Sequence, residues 1–437
     1  MTDTRSGWTL QDAESAATGT ILKIGRLRRC MIPVLEALFF PFAYAVNLFQ
    51  KPAPRKKDEE IRKILIIEYT ELGDVVLLLP LLQNLRIHYP GARITLLVSS
   101  KVMLLLEGQD VVDELIPVRV PLAMYSSRWR RYNPLSRLWV NFLRCLLLLR
   151  QRKFDLALTG KADIFQNLML WMTRAGRRVG YGFHGGRFFL TDVATPDVNN
   201  PHVANHWLAL LQTLGKPVRE RLPRLKTLPD EDQLAREYLE GNGIRDGEYI
   251  IGIHPGARAP IRQWGDENFR VVADRLTRRF TVKILWFQDP STGDQVNEPP
   301  VGAIAVKLDL RGFMAVLARC RLLICNDSGP MHIATALGIP VVSLFGPQEP
   351  AWFGPLGEGN RVIIRRGFWC RPCGECCIFD KPYCLRAIST DEVFEATAEA
   401  VLGLTGGRCL NEGAEVKTTA GRGKENTMAQ KTHGSRT

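Results

Sequence analysis

The segment Asn326-Asp327-Ser328-Gly329-Pro330-Met331-His332 joins an apolar run at 322–325 to a small-residue helical pattern at 333–337. Asp327 or Ser328 is a credible helix N-cap. The first N–H groups of a helix have no partner within it, so together with the helix dipole they attract anions. An ordinary capped helix has the same local pattern. A second set stands at 254–264, where His254-Pro255-Gly256-Ala257-Arg258 follows an apolar run and leads to Arg262-Gln263-Trp264. A third is Glu68 to Asp74, with Gly73-Asp74 at the turn after the apolar run 64–67. A carboxylate in such a turn can cap the following helix or act as a base.

The elements that must position these residues are those of parallel sheets. Apolar runs at 64–67, 94–98, 154–159, 249–253, 281–287, 322–325 and 341–345 read as strands. Helical patterns at 75–88 and 267–279 alternate with them, which predicts an α/β fold. Ligands of open α/β sheets bind at the carboxyl ends of strands. Each half of the chain thus begins with a strand that runs into a glycine-containing turn. A Rossmann oxidoreductase is disfavoured, because no G-x-G-x-x-G follows the first strand.

The chain resembles glycosyltransferase family 9, the heptosyltransferases of lipopolysaccharide synthesis. The resemblance rests on Leu72-Gly73-Asp74-Val75-Val76 with Leu79-Pro80-Leu81-Leu82, on His254 to Ala257 with Arg262 and Trp264, and on Asn326 to His332 with Leu344-Phe345-Gly346-Pro347. Arg178-Val179-Gly180-Tyr181-Gly182 and the stretch 202–215 are smaller echoes, and the likeness covers roughly residues 62 to 400. It implies a GT-B architecture, two Rossmann-like domains facing each other across a cleft. It also implies inverting, metal-independent sugar transfer from a nucleotide-diphosphate donor, expected to be ADP-heptose, to a lipopolysaccharide core or related glycolipid. The alternative is a non-catalytic nucleotide-sugar-binding or scaffold protein of envelope glycan assembly.

On this resemblance Asp74 is the expected catalytic base, with Gly73 turning the backbone beside it. Arg262 stands where the family usually has Lys and is expected to stabilise the departing diphosphate; an arginine can hold two phosphate oxygens at once. Asp327, Ser328, Gly329, Pro330, the Met331 N–H and His332, with His254, Gly256 and Arg258, form the expected donor and diphosphate site. Trp264 is expected to pack rather than stack on a ligand. Glu68 departs from the family, which often has Arg or Lys there on the acceptor side. Gln288-Asp289-Pro290 replaces a glycine-rich turn that helps hold the nucleoside.

At 437 residues the chain is long enough for two domains with extensions. The expected division is an N-terminal extension at 1–60, an acceptor domain at 61–225, a nucleotide-sugar domain at 226–405 and a polar, disordered tail at 406–437. The net charge of +13 favours an anionic partner. No nucleic-acid motif is present, so an acidic glycolipid and the anionic inner-membrane surface are the expected partners. The apolar stretch 31–49 is flanked by basic residues but interrupted by Glu36, Pro33 and Pro41. It reads as an interfacial helix pair, with an apolar cover packed on the enzyme or a short span as alternatives. Arg128-Trp129-Arg130-Arg131 is a further candidate contact for anionic lipid. The expected location is cytoplasmic, peripheral on the inner membrane.

Four of 10 cysteines lie in Cys370-Arg371-Pro372-Cys373-Gly374-Glu375-Cys376-Cys377, with Cys384 following as a fifth. This loop at 370–384 fits free or structural thiols, a structural zinc held by Cys370, Cys373, Cys376 and Cys384, or a cluster. No cofactor is required by the expected reaction.

Overall fold

The structure, a computed structural model, describes residues 55–120, 137–197, 199–290, 299–374 and 377–406, with parts of 33–45. The apolar runs become short strands buried almost from end to end, as expected where helices cover both faces of a parallel sheet. Strands β1 (Lys63–Ile67), β2 (Arg93–Val98), β3 (Glu114–Pro117), β4 (Leu156–Leu158), β5 (Arg177–Gly180) and β6 (Asp192–Val193) form one sheet. Its order is β3-β2-β1-β4-β5-β6. Strands β7 (Ile250–His254), β8 (Lys283–Phe287), β9 (Ile304–Val306), β10 (Leu322–Asn326), β11 (Val341–Phe345) and β12 (Arg361–Ile364) form the other, in the order β12-β11-β10-β7-β8-β9. Every pairing is parallel.

The two sheets share one topology. Each starts in the middle, builds outward to one side, and returns to build the other. The reversal falls between β1 and β4 in the first sheet and between β7 and β10 in the second. Neighbouring connections there leave to opposite faces, which opens a crevice at the strands' carboxyl ends.

Helix α1 (Leu72–His88) follows β1, α2 (Arg137–Gln151) precedes β4, and α3 (Ile164–Thr173) and α4 (Val203–Thr213) complete the first sheet's cover. Helices α5 (Pro229–Gly241), α6 (Asp266–Arg279), α7 (Leu310–Leu317), α8 (Gly329–Ala336) and α9 (Thr390–Thr405) belong with the second. The sequence places α1 from residue 75 and α8 from residue 333. Both begin earlier, because the glycine-containing turns are already their first turns. Helix α9 starts in a capping box: Ser389 accepts from the Glu392 N–H at 3.3 Å and Glu392 accepts from the Ser389 N–H at 2.9 Å.

The sheets are joined by side chains at the starts of α1 and α8. A Cβ placed on Gly73 would lie 2.8 Å from His332 Cδ2, and one on Gly329 would lie 3.0 Å from Leu72 Cδ2. Arg311 of α7 donates to both carboxylate oxygens of Glu231 on α5, at 2.6 and 2.5 Å. Arg311 also reaches the Leu104 carbonyl of the first half at 3.5 Å.

The expected helix pair at 31–49 lies largely outside the described residues, as do Arg128 to Arg131 and the tail from 407. The described part of 33–45 is helical. Phe39 packs on Phe189 and Phe40 on Phe188, with ring centroids 6.3 and 5.4 Å apart. Glu36, which looks misplaced in an apolar stretch, accepts a hydrogen bond from the Gly186 N–H at 3.0 Å. Among the described residues no helix is long and apolar enough to cross a membrane.

Candidate active site

Both crevices meet where α1 faces α8. From the first sheet, Glu68 and Asp74 come from the turn after β1, and Lys161 comes from the turn after β4. From the second, His254 to Arg262 follow β7, and Asp327 to His332 follow β10. All four turns therefore flank a reversal point.

Asp74 stands in the first turn of α1, a favourable place for a carboxylate at a helix's positive end. Its Oδ1 accepts from Lys161 Nζ at 2.7 Å. Its Oδ2 accepts from the Glu71 N–H at 3.4 Å, so part of the capping role is also present. The Asp74 side chain is 21% exposed and Lys161 only 10%. Burial would raise the Asp74 pKa, but the charge and hydrogen bond of Lys161 outweigh it and hold the carboxyl below its ordinary range.

Glu68 is fully buried. Its Oε1 accepts from the Thr70 hydroxyl at 2.5 Å and from the Thr70 N–H at 3.0 Å, and its Oε2 lies 3.7 Å from Lys161 Nζ. Burial pushes its pKa up, against the opposing pull of Lys161. Behind Lys161, Asp163 caps α3 by accepting from the Phe165 N–H at 2.8 Å. Burial pushes that carboxyl up to about 6. One ammonium thus serves three carboxyls, and it is closest to Asp74.

Lys161 is the residue that motif reading missed. Its sequence signal is a strand ending in Thr159-Gly160-Lys161, in a chain position 87 residues from Asp74. Gly160 is required there: a Cβ would lie 2.5 Å from the Trp207 ring, which closes over the turn.

On the other side, Asn326 braces the second crevice. Its amide donates to the Pro255 carbonyl at 2.6 Å and accepts from the Trp264 N–H at 3.2 Å. The Trp264 indole is buried and donates to the Ile388 carbonyl at 2.9 Å, so it packs rather than offering a stacking face. Arg262 lies 3.6 Å from Asp327, which is itself buried. Arg258 pairs with Glu71 of the first half at 3.0 Å, bridging the two sides at the surface.

Ser328 is the N-cap of α8, and its hydroxyl turns to the Asn326 carbonyl at 3.2 Å rather than to the helix. Pro330 occupies the first turn, where its missing N–H costs nothing. The Met331 N–H, expected to face an anion, points to the Ser328 carbonyl at 3.1 Å. His332 lies between the halves, 5% exposed, with Asp74, Arg262 and His202 all close enough to influence its charge. Burial lowers its pKa to about 3, with His202 and Arg262 acting in the same direction and Asp74 against it, so it is neutral at physiological pH. It can offer an N–H but no charge to an anion. His254 is likewise kept neutral by burial, against hydrogen bonds that favour its charged form. Gly256 folds against it: a Cβ there would lie 3.1 Å from His254 Cε1.

The Arg262 turn and the start of α8 thus face a carboxylate from the opposite sheet. The family model for glycosyltransferase family 9 (heptosyltransferase) matches residues 143–382. The chain belongs to glycosyltransferase family 9. It is therefore a glycosyltransferase, with an α/β fold of two parallel sheets. It is 25% identical over 310 residues to lipopolysaccharide heptosyltransferase 3 of Escherichia coli, covering 68% of this chain and 86% of that protein. It is also 25% identical to lipopolysaccharide heptosyltransferase 1 of Pseudomonas aeruginosa, covering 71% of this chain and 86% of that one. A family 9 transferase structure from Veillonella parvula superposes with a TM-score of 0.63 at 24% identity, covering 80% of this chain and 99% of that one. The Escherichia coli ADP-heptose lps heptosyltransferase II gives 0.61 at 22% identity, covering 78% and 99%.

The zinc expectation finds no support. Among the described residues no group of three or more His, Cys, Asp or Glu could hold a metal ion. Cys370, Cys377 and Cys384 form no disulfide, and Cys376 lies outside the described residues. The Arg371 guanidinium, which donates to the Arg365 and Gln348 carbonyls at 2.8 and 2.7 Å, braces this loop instead.

Proposed function

We propose that this transferase moves heptose from ADP-heptose to a lipopolysaccharide core or related glycolipid, with inversion and without a metal ion. The observation that carries this reading is Asp74, held by Lys161 on one sheet and facing α8 and Arg262 on the other. Residues 61–225 serve as the acceptor domain and 226–405 as the nucleotide-sugar domain. The curated heptosyltransferases named above support the choice of sugar and acceptor.

In this mechanism the acceptor hydroxyl enters beside Asp74, which takes its proton as the oxygen attacks the anomeric carbon. The bond from that carbon to the β-phosphate oxygen breaks, and ADP leaves on the opposite face with the electron pair. Arg262, oriented by Asp327, and the α8 N-terminus stabilise the growing negative charge. Arg258 and neutral His254 and His332 frame the donor without adding a second buried charge.

Peripheral binding on the cytoplasmic face of the inner membrane completes the proposal. Helix α2 exposes Val140, Leu143, Leu147 and Leu148 beside Arg137 and Arg144. The helical part of 33–45 exposes Val34, Phe40 and Tyr44. Apolar side chains edged by arginines suit a headgroup boundary.

The test is a calorimetric titration with ADP, GDP, UDP and CDP, followed by ADP release from ADP-heptose in the presence of lipid A–Kdo. Selective ADP binding and acceptor-dependent release are expected. Preference for another nucleotide removes the ADP-heptose reading, and binding without turnover favours a scaffold. Asp74→Asn should abolish transfer and keep ADP binding; retained transfer removes Asp74 as the base.

A further inference from the structure

The turn after β4 holds a buried lysine that the donor and acceptor assignments leave unused. We infer that Lys161 is a positioning residue, which locks the Asp74 carboxylate in the orientation of the base, with the buried Glu68 carboxyl on the other side of the ammonium. The inference rests on the reading of Asp74 as base, and it concerns how that base is made ready.

Geometry carries the argument. Lys161 Nζ is 2.7 Å from Asp74 and 3.7 Å from Glu68, on a side chain that is nine-tenths buried. Two buried carboxylates around one cation cannot both ionise cheaply. The carboxyl that keeps the charge is the one nearer the ammonium and nearer water. Asp74 is both, being 21% exposed where Glu68 is 0%. The Thr70 N–H and hydroxyl hold Glu68 Oε1, leaving Oε2 toward Lys161.

The other charged groups around Asp74 do not compete for this role. Glu71, at the start of α1, turns its carboxylate to Arg258 and offers Asp74 only an N–H. Asp163 lies beyond Lys161 and is bound to the start of α3. From α8, His332 is kept neutral by burial, while Arg262 and His202 act on that imidazole. Lys161 is thus the cation in contact with Asp74, and its removal should leave a carboxyl that protonates more readily.

Difference infrared spectroscopy across a pH series tests this without reference to any acceptor. In the wild type a buried neutral carboxyl band at pH 7 is expected, and Glu68→Gln should remove it. Lys161→Met should add a second neutral band that titrates at higher pH than in the wild type, and Asp74→Asn in that background should remove it. In turnover of ADP-heptose with lipid A–Kdo, Lys161→Met should lower kcat about 100-fold. Its acid limb should move up, the donor KM should hold, and Lys161→Arg should restore part of the loss.

A folded Lys161→Met protein with a wild-type carboxyl titration overturns the inference. So does a loss confined to donor KM, which would make Lys161 a donor ligand. If Lys161→Met does not fold, the Lys161→Met/Glu68→Gln pair removes the burden of two uncompensated carboxyls, and the same Asp74 band is sought. Absence of the wild-type neutral band overturns the role given to Glu68. The base reading fails separately, through an active Asp74→Asn protein, whatever Lys161 does.

Discussion

A methyl group on Gly73 should act as a wedge between the two halves of the enzyme. In Gly73→Ala the new Cβ would sit 2.8 Å from His332 Cδ2, where ordinary contact begins at 3.4 Å. The gap must widen by about 0.6 Å, the difference between those distances. The ring cannot simply swing to solvent, because His332 is 5% exposed. The helical backbone at Gly73 suits alanine, so no backbone strain adds to the cost. Overpacking of this kind costs about 1–3 kcal/mol. The cheapest relief is separation of α1 from α8, which moves Asp74 away from the α8 N-terminus. If all the cost falls on the closed, reactive arrangement, kcat/KM drops about 5- to 150-fold, since 1.4 kcal/mol is a factor of ten. ADP affinity, which the proposed function places on the second sheet, should change much less. Turnover kinetics, ADP titration and thermal unfolding measure the three quantities. Adding His332→Ala to Gly73→Ala should recover part of the loss relative to His332→Ala alone. Wild-type kcat/KM in Gly73→Ala, or no recovery in the double variant, would refute the wedge.

Three other outcomes follow from the same geometry. Arg262→Ala should weaken ADP binding at least tenfold, roughly the worth of a charge-assisted contact, with calorimetry as the measurement; unchanged affinity removes Arg262 from the diphosphate site. Asp163 has its pKa raised to about 6 by burial, so the stability of its neutral form is fully present below its unfolded value of about 3.9 and is lost as pH rises through about 6. Asp163→Asn keeps an N-cap and should therefore gain about 2–3 kcal/mol relative to wild type between pH 4 and pH 8 in urea melts; an equal difference at both pH values would contradict this. Leu143→Glu with Leu147→Glu should reduce sedimentation with anionic phospholipid vesicles while leaving ADP affinity intact; undiminished sedimentation would exclude α2 as a membrane contact.

Much of this arrangement was legible in the sequence, for identifiable reasons. Strands buried on both faces are continuous apolar runs, so β1, β7, β10 and β11 stood out. The glycine-containing turns after β1, β7 and β10 were legible because each has its functional residues within a few positions of one strand. Lys161 was not, because its partners are neighbours only through sheet order. Adjacency of β4 to β1 is decided by the reversal of topology, not by proximity in the chain. The burial of Glu68 was hidden for a related reason. A charged residue directly after a strand reads as a surface group, and only the closure of Thr70 and Lys161 around it makes burial affordable. Capping was partly misread as well. Asp327 is not the α8 cap, and the Ser328 hydroxyl, at the cap position, is turned back to Asn326.

The repeated topology explains why the chemistry divides as it does. Each sheet provides one crevice at its reversal point, and the crevices differ in charge. The first has three carboxyls around a single ammonium, which lies closest to Asp74. The second has Arg262 with Asp327 and a helix N-terminus, a group suited to receiving negative charge. Two neutral histidines line the second crevice, and their low basicity matters. A protonated His332 beside Asp74 would compete with Lys161 for the carboxylate and draw it toward the donor side. Burial prevents this without a specific bond. In the proposed mechanism, proton acceptance and leaving-group stabilisation sit on different sheets, and both depend on α1 meeting α8 at Gly73.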